Sequence, residues 1–343
     1  MSEAIAPIHA AMTRVAERDA RDHDALRDLL ADAQEPFVVR GLVADWPLVR
    51  AGLASARAAR THLLEHARAT PFTIALGPAG HGGRMFYGDD MAMNFREGKG
   101  RLPDIFAGFD RYEGDPDPPT AYLGSVDMNQ YFDGLTQANP SPVADRNPRE
   151  SIWIGSRTRI AAHNDFPDNL ACCAVGKRRF TLFPPDQFAN LYLGPIDNTP
   201  AGRAVSMVDF HAPDFDRFPR FADALEQAQL AELEPGDVLF IPSLWWHHVE
   251  GLAPFNILVN YWWRDTPRWL GQPQDALNHA LLAIRDLPQD EKAVWRELFD
   301  HYVFANGPEV TDHIPEGARG VLDPLTPETA GRLRGFLLRM LNQ

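Results

Sequence analysis

The sequence has very little cysteine. Only two of its 343 residues are cysteines, and these two, Cys172 and Cys173, are adjacent. Neighbouring side chains on a strand point to opposite faces, so the pair cannot form a disulfide framework. We therefore expect two buried thiols that behave as small apolar side chains.

Long apolar runs are also absent from the sequence. No run approaches the ~20 residues that a membrane-spanning helix needs. Residues 1–24 are charged and lack the apolar block of a signal peptide. These absences argue against a membrane protein and against a disulfide-rich secreted protein, and they predict a cytoplasmic location.

Basic residues are outnumbered by acidic residues. The chain has 33 Lys and Arg against 47 Asp and Glu, which gives a formal net charge of -14. Affinity for nucleic acid depends on basic surface, so this balance argues against nucleic acid as a partner. The one compact basic cluster is GKRR, at residues 176–179. By contrast, 45% of the residues are hydrophobic, including eight Trp and 20 Phe, which is ample material for a folded core.

Apolar periodicity predicts a β-rich body between helical ends. Residues 8–33 have helical spacing, whereas short apolar segments separated by Pro, Gly and Asp turns extend from about residue 120 to residue 263. The segments are TAYLGS, SIWIG, NLACCAV, RFTLFPP, DVLFIP and NILVNYWW. Helical spacing returns after Pro267. We expect a sandwich or barrel-like β domain over residues 1–266 and a helical region over residues 267–343.

One short string carries the chemistry of a metal site. In AAHND, His163 and Asp165 are two residues apart at the end of a predicted strand, so their side chains share a face. An imidazole and a carboxylate on one face can supply two adjacent ligands to a divalent metal, and a second histidine would complete a facial triad. Alone, such a triplet more often reflects a solvated aspartate beside a hydrogen-bonded histidine.

A second string offers the missing histidine. In EPGDVLFIPSLWWHHVE, residues 234–250, a turn and a buried strand precede two tryptophans and then His247 and His248. Consecutive strand residues face opposite ways, so only one of the two can be a ligand, and spacing alone does not choose between them. A site next to these apolar side chains would exclude water and be rigid, which suits metal binding.

Several strings resemble the JmjC/cupin-8 family of iron(II)- and 2-oxoglutarate-dependent oxygenases, in particular its asparaginyl hydroxylases. The strings are MFYGDDMAMNF, AHND, FTLFPPDQFANLY, VDFHAPDFDRFPRF, PGDVLFIPSLWWHHVE and ILVNYWW, in that order along the chain. The resemblance implies a double-stranded β-helix, or jelly roll, as the core. It also implies that His163, Asp165 and His247 are the metal ligands, with His248 directed outward or behind a ligand.

The resemblance implies a binding site for the co-substrate 2-oxoglutarate as well. The family's lysine that holds the far carboxylate corresponds by position to Arg178, and Lys177 is the alternative. Arginine can bind a carboxylate through two parallel hydrogen bonds, so the role is chemically retained. The family's other contacts correspond to Tyr122, Asn169 and Asn260. A family threonine before the metal motif is replaced by Ile160, which removes one hydrogen bond to the co-substrate.

The activity implied by the resemblance is hydroxylation of an unactivated C–H bond with Fe(II), 2-oxoglutarate and O2. A protein or peptide side chain is the first expectation for the substrate. A small molecule or a modified tRNA base is the alternative, and a non-oxygenase metal-binding cupin is a different class of function that uses the same barrel.

Apolar stripes in the C-terminal helical region suggest a homodimer. Packing of these stripes onto the chain's own barrel is the other explanation. The residues concerned are Leu277, Leu281, Ile284, Leu333, Phe336, Leu337, Met340 and Leu341.

Overall fold

The computed structural model of the chain describes residues 8–9, 12–20 and 22–342. The chain divides into two compact units, and the division falls between Trp263 and Arg264.

The first unit is built from short strands with helices between them. Its strands are β1 Thr13–Arg14, β2 Ala16–Glu17, β3 Phe37–Val39, β4 Phe72–Gly77, β5 Arg84–Met85, β6 Arg96–Gly100, β7 Thr120–Asp127, β8 Arg149–Gly155, β9 Thr158–Asn164, β10 Asp168–Val175, β11 Arg178–Phe183, β12 Gln229–Leu233, β13 Val238–Ile241, β14 Trp246–Gly251 and β15 Asn256–Trp263. Its α-helices are α1 His23–Ala31, α2 Pro47–Ala54, α3 Ala56–His66, α4 Leu102–Arg111, α5 Met128–Tyr131, α6 Leu135–Ala138 and α7 Phe221–Glu226.

The strands form two sheets that face each other. The smaller sheet has the order β1-β12-β11-β14-β9-β5, and the larger has the order β2-β3-β13-β10-β15-β8-β7-β4-β6. Neighbouring strands are antiparallel except for three pairs that involve two-residue strands, β1 with β12, β2 with β3 and β5 with β9. One apolar cluster contains side chains from both sheets and therefore lies between them. This arrangement confirms the predicted β-dominated jelly roll with helices.

Strand β10 shows how the sequence fills both faces of the larger sheet. Leu170, Cys172 and Ala174 belong to the cluster shared with the helices, whereas Ala171 and Cys173 belong to the cluster between the sheets. Because both faces are covered, β10 is a continuous apolar run rather than an alternating one. The expectation that the adjacent cysteines are buried and face opposite ways is confirmed.

The prediction of a helix over residues 8–33 is wrong for much of that segment. Residues 13–17 contain β1 and β2, which pair with Gln229 and Leu230 of β12 and with Phe37 and Val38 of β3. Helix α1 begins only at His23, where the Asp22 side chain accepts the backbone N–H of Ala25 as an N-cap. Distant pairing partners at the sheet edges therefore override the local helical spacing.

The second unit is helical, as predicted for the C-terminal region. Its α-helices are α8 Pro273–Ala283, α9 Gln289–Phe299 and α10 Pro327–Leu341, with a π-helical turn at Asp300–Ala305 and 3-10 turns at Pro308–Val310, Glu316–Ala318 and Gly320–Leu322. Many large apolar side chains in this unit are exposed, among them Leu282 and Phe304. Within the described residues, no helix combines the length and apolar character needed to cross a bilayer.

Candidate metal centre and adjoining cavity

The pairing of β9 with β14 brings two histidines together. His163 and His247 are direct partners across this antiparallel pair, and their ring centroids lie 4.5 Å apart. Asp165 is the first residue beyond Asn164, the last residue of β9, and its Oδ2 lies 3.8 Å from Nε2 of His247. One ligand atom from each of the three residues lies within 4.8 Å of the others. The set fits a single divalent cation with positions left for further ligands.

A bulge in β9 sets the direction of these ligands. His163 pairs with His247 and Ile160 pairs with Val249, so two residues of β9, Ala161 and Ala162, lie opposite one residue of β14. Without the extra residue, side chains three positions apart would face opposite ways. The bulge allows Ile160 and His163 to face the same cavity.

Backbone carbonyl groups fix the orientation of both imidazoles. Nδ1 of His163 lies 2.9 Å from the carbonyl oxygen of Ala161, and Nδ1 of His247 lies 3.0 Å from that of Trp245. A carbonyl oxygen only accepts, so each Nδ1 carries the proton and each Nε2 keeps its lone pair for a metal. The two rings are therefore oriented so that Nε2 is the atom available to a metal.

Burial also keeps His247 neutral. Desolvation, together with the nearby His163, lowers the pKa of His247 to about 4. Metal ions bind the unprotonated imidazole, so no proton has to be removed from this ligand near neutral pH.

Hydrogen bonds between two turns hold the carboxylate ligand. The backbone N–H of Leu244 donates to the carbonyl oxygen of Asp165 over 2.8 Å. Ser243 donates its hydroxyl to the Phe166 carbonyl and its N–H to the Asp168 side chain, over 2.6 and 2.8 Å. Leu244 has a φ of +67°. Residues other than glycine rarely adopt this backbone conformation, and it recurs at functional sites. The turn after β9 is thus tied to the turn that precedes β14.

The triad opens into a cavity of about 250 Å³ between the sheets. Every site residue predicted from the sequence lines this cavity: Tyr122, His163, Asp165, Asn169, Arg178, His247 and Asn260. Trp262 and Ile160 also line it, and the other walls come from β4, β6 and the loop that contains Pro200 and Ala201. The cavity therefore joins a metal-binding corner to a polar pocket.

Arg178 is a buried cation in this pocket. Its side chain is 1% exposed, and its Nε and Nη2 atoms have no hydrogen-bond partner among the described residues. Desolvation lowers the pKa of Arg178, and burial raises the pKa of the neighbouring Tyr122 phenol. Leaving a charge buried and unpaired costs several kcal/mol, so this guanidinium is suited to receive an anion. A dicarboxylate that chelates a metal at its other end has the required chemistry.

Lys177 does not share this environment. Its ammonium group is exposed and lies 2.6 Å from Oε1 of Glu234. Of the two basic residues that the sequence left as alternatives, Arg178 is therefore the one that faces the cavity. The pocket also holds an amide pair, in which Asn260 donates through Nδ2 to Oδ1 of Asn169 over 2.7 Å, and Oδ1 of Asn260 is buried without a partner among the described residues.

His248 lies on the opposite face of β14 from the metal ligand. It is buried and stacks on Phe210, with ring centroids 4.5 Å apart and planes at 27°. It therefore faces away from the cavity as the resemblance implied, but into a second apolar cluster rather than into solvent.

Most of the outer cavity wall could not be predicted from sequence patterns. Glu97 of β6, and Pro200 and Ala201 of a long loop, line the cavity without belonging to a recognisable motif, and Phe95, the last residue of the string MFYGDDMAMNF, lines it beside them. Their positions depend on the pairing of β6 with β4 and on the path of the loop, neither of which a local pattern encodes.

The fold and the site together define a jelly-roll protein with a mononuclear metal site of the two-histidine, one-carboxylate type. Comparison with known proteins agrees with this class. The sequence model of the Cupin_8 family, described as a cupin-like domain, matches residues 24–268. This chain therefore belongs to the cupin-like, JmjC-type family of iron- and 2-oxoglutarate-dependent oxygenases, as its motifs predicted.

Three curated relatives illustrate the range of the family. Human HSPB1-associated protein 1 is 33% identical over 159 residues, which cover 43% of this chain and 31% of the relative. The tRNA wybutosine-synthesizing protein 5 of Danio rerio is 37% identical over 109 residues, which cover 32% of this chain and 30% of the relative. Lysine-specific demethylase JMJ31 of Arabidopsis thaliana is 32% identical over 116 residues, which cover 34% of this chain and 21% of the relative. The matched segments thus span about a third or less of these relatives.

Proposed function

We propose that this protein is an Fe(II)- and 2-oxoglutarate-dependent dioxygenase that hydroxylates an unactivated C–H bond of a protein or peptide side chain. The observation that carries the proposal is the unpaired guanidinium of Arg178 in the same cavity as the His163, Asp165 and His247 cluster. A metal site alone suits many cupins. A metal site joined to a buried cation is suited to a metal-chelating dicarboxylate.

One group of cavity residues would bind the metal, and another would bind the co-substrate. His163, Asp165 and His247 would hold the iron, and Arg178 would bind the far carboxylate of 2-oxoglutarate. Tyr122, Asn169 and Asn260 lie in the same pocket and can donate hydrogen bonds to carboxylate oxygens. When bound, the iron and 2-oxoglutarate supply the oxidation, in which O2 converts the keto acid to succinate and carbon dioxide and adds one oxygen atom to the substrate.

The cavity walls contribute by limiting access of water. Trp153, Trp262, Phe180 and Val249 line the pocket around its polar groups. Charge interactions are stronger in such an environment than in water, and side reactions of the oxidant with solvent are reduced. Because the apolar walls exclude water, a small number of polar groups is enough to bind a ligand selectively.

The test is oxygen-dependent release of succinate from 2-oxoglutarate in the presence of Fe(II) and ascorbate. A mass-spectrometric search for peptides heavier by one oxygen atom would accompany it. Both signals are expected for the wild-type protein and are expected to disappear in Asp165→Ala. Hydroxylation that persists in Asp165→Ala would show that the proposed triad is wrong.

A small molecule or a modified tRNA base is the second candidate substrate. The relative named for wybutosine synthesis supports the tRNA option, whereas the net charge of -14 opposes it. A product found only in tRNA or in small metabolites would decide against a protein substrate. Tight binding of another ligand without any succinate release would favour a non-oxygenase cupin.

We also propose that the second unit forms a homodimer contact. Leu277, Phe336, Leu337, Met340 and Leu341 on α8 and α10 are each between about 39 and 55% exposed. Apolar patches of this kind commonly mark interfaces. Light scattering on the full chain should give twice the monomer mass, and Phe336→Glu together with Met340→Glu should give a monomer. A monomeric wild-type protein would refute the contact.

A further inference from the structure

The cavity has an outer half that the proposed function does not use. Its floor is the edge of the larger sheet beyond β7, where Tyr122 pairs with Ala75 of β4 and Ala75 pairs with Glu97 of β6. Tyr122, Ala75 and Glu97 all line the cavity. Strands lie about 4.8 Å apart, so the Glu97 backbone is about 10 Å from that of Tyr122. This ladder runs from the pocket of Arg178 to the cavity mouth.

Glu97 is a carboxylate at the cavity mouth that forms no ion pair with any residue the structure describes. Its side chain is exposed at the mouth, and no described Lys, Arg or His nitrogen lies within 4 Å of it. Lys99 lies two residues further along β6, on the same side of the strand, where its backbone pairs with that of Thr73 of β4. The other charged residues that line the cavity are Asp165 and Arg178 in its inner half.

Charge balance separates the two halves once the site is loaded. Iron(II) and Arg178 bring three positive charges, and Asp165 and the two carboxylates of 2-oxoglutarate bring three negative charges. With both histidines bound as neutral ligands, the groups that line the inner half are balanced, and Arg203, which stacks on Phe166 and interacts with Asp165, adds one positive charge beside it. Among the residues that line the cavity, the remaining charge is that of Glu97, so a substrate that approaches the mouth meets a carboxylate there.

A bulge in β7 adds hydrogen-bonding groups to the same wall. Leu123 pairs with Ile154 and Val126 with Ile152, which leaves Gly124 and Ser125 as the extra segment, and both line the cavity. Ser125 has a φ of +48°, and a Cβ added at Gly124 would lie 3.1 Å from the Trp153 ring, which is a tight contact. Strained bulges of this kind re-aim groups towards a ligand.

On this basis we propose that the substrate carries a positively charged group that pairs with Glu97 while its target carbon enters the inner half. The inference rests on the proposed function for the position of the metal and co-substrate. A Lys or Arg side chain next to the target residue of a polypeptide and a small organic cation share this chemistry. The acidic balance of the whole chain would also attract either one.

The experiment uses the full chain loaded with Mn(II) and 2-oxoglutarate, so that binding is measured without turnover. Two random hexapeptide libraries, one with Lys and Arg and one with Asp and Glu at the charged positions, are passed over the immobilised protein, and retained peptides are quantified by mass spectrometry. Agmatine and cadaverine serve as small cationic probes. The variants are Glu97→Gln, Glu97→Lys and the control Glu65→Gln, an exposed carboxylate on α3 away from the cavity.

Basic peptides should be retained about two- to fivefold more than acidic ones by the wild-type protein and by Glu65→Gln, the range of one solvent-accessible ion pair. The preference should disappear in Glu97→Gln, reverse in Glu97→Lys and weaken as salt rises from ~0.05 to ~0.5 M. Retention of agmatine and cadaverine alone would assign the same cation site to small molecules. Equal and measurable retention of both libraries, no retention of either the peptides or the small cations, or an unchanged preference in Glu97→Gln would overturn the proposal. Succinate release with Fe(II), measured separately, reports on the proposed function independently of charge selection.

Discussion

At the scale of single residues, the contrast between Arg178 and Arg179 is informative. The two are neighbours on β11 and face opposite sides of the sheet. Arg178 is fully buried and has no carboxylate partner in the part of the chain that the structure describes, whereas Arg179 donates to Glu232 over 2.9 Å. A protein that keeps an unpaired buried cation loses stability by doing so, which indicates that the cation serves a ligand.

The first prediction follows from this contrast. Replacing the buried cation by a side chain of similar length, Arg178→Met, should raise the free energy of unfolding of the ligand-free protein by about 1–3 kcal/mol. The same change should weaken 2-oxoglutarate binding about 10- to 100-fold, since a hydrogen bond to a charged group contributes about 1.5–3 kcal/mol. Urea unfolding and titration calorimetry would measure the two effects.

Arg179→Met is the matched control for this prediction. It removes a partly exposed ion pair on the other face of the same strand, so it should leave 2-oxoglutarate binding unchanged and change stability by less than about 1 kcal/mol. If both variants weaken 2-oxoglutarate binding equally, Arg178 has no special role.

At the scale of elements, the turn between β10 and β11 positions Arg178. Gly176 adopts a φ of +76°, and a Cβ added there would lie 2.4 Å from Oδ1 of Asn256 and 2.8 Å from the Phe255 carbonyl oxygen. Asn256 is itself buried and binds the backbone of Ser156 and Ala253. The turn therefore packs against the connection between β14 and β15, two residues before Arg178.

The second prediction tests the packing of this turn. Gly176→Ala should destabilise the protein by about 3 kcal/mol or more, because about 1–2 kcal/mol of left-handed strain is added to a steric clash with buried groups. It should also weaken 2-oxoglutarate binding by displacing Arg178. The control, Gly202→Ala, has a similar φ of +70° and nothing within 4 Å of the added Cβ, so it should cost only the strain. Equal losses in urea unfolding would show that crowding at Gly176 is unimportant.

The element scale also shows what the sequence could and could not predict. The spacing of His163 and Asp165 predicts two adjacent ligands, because it depends on local chain geometry, whereas the role of Arg178 is implied by the family resemblance. The choice of His247 over His248 needed the family resemblance, since both strand faces are buried. The β9 bulge, the wall around Glu97 and the two strands at residues 13–17 were missed because all depend on pairing with distant segments.

At the scale of the whole molecule, buried histidines couple the fold to pH. Desolvation lowers the pKa of His248 to about 4, and both of its ring nitrogens lack a hydrogen-bond partner among the described residues. Nearby, burial alone would raise the pKa of Glu250, but the hydrogen bond from His211 and the charges around it lower that pKa to about 2. These groups lie behind the smaller sheet, on the opposite side of β14 from the metal ligand.

The third prediction is a loss of stability in acid. The pKa of His248 in the folded protein is below the ordinary value of 6.5, so the unfolded chain takes up the proton first as the pH falls. The metal-free protein should therefore lose stability between pH 6.5 and about 4, with His248 contributing on the order of 2–3 kcal/mol. Glu250 adds a further loss as the pH falls from about 4.5 towards 2.

His248→Phe should remove part of the first loss, because it keeps an aromatic ring on Phe210 without a titrating group. His279→Phe, at an exposed position on α8, should not. Urea midpoints measured between pH 7 and pH 4 in the presence of a chelator would compare the three proteins. An unchanged pH slope in His248→Phe would refute the assignment.

The most direct test of the whole account is the dependence of 2-oxoglutarate binding on both ends of the cavity. Titration calorimetry without oxygen would measure 2-oxoglutarate affinity with and without Mn(II) in the wild-type protein, Asp165→Ala and Arg178→Met. The account predicts tight binding only when metal, Asp165 and Arg178 are all present. Binding of equal strength without metal, or in either variant, would contradict the claim that the triad and the buried arginine form one site.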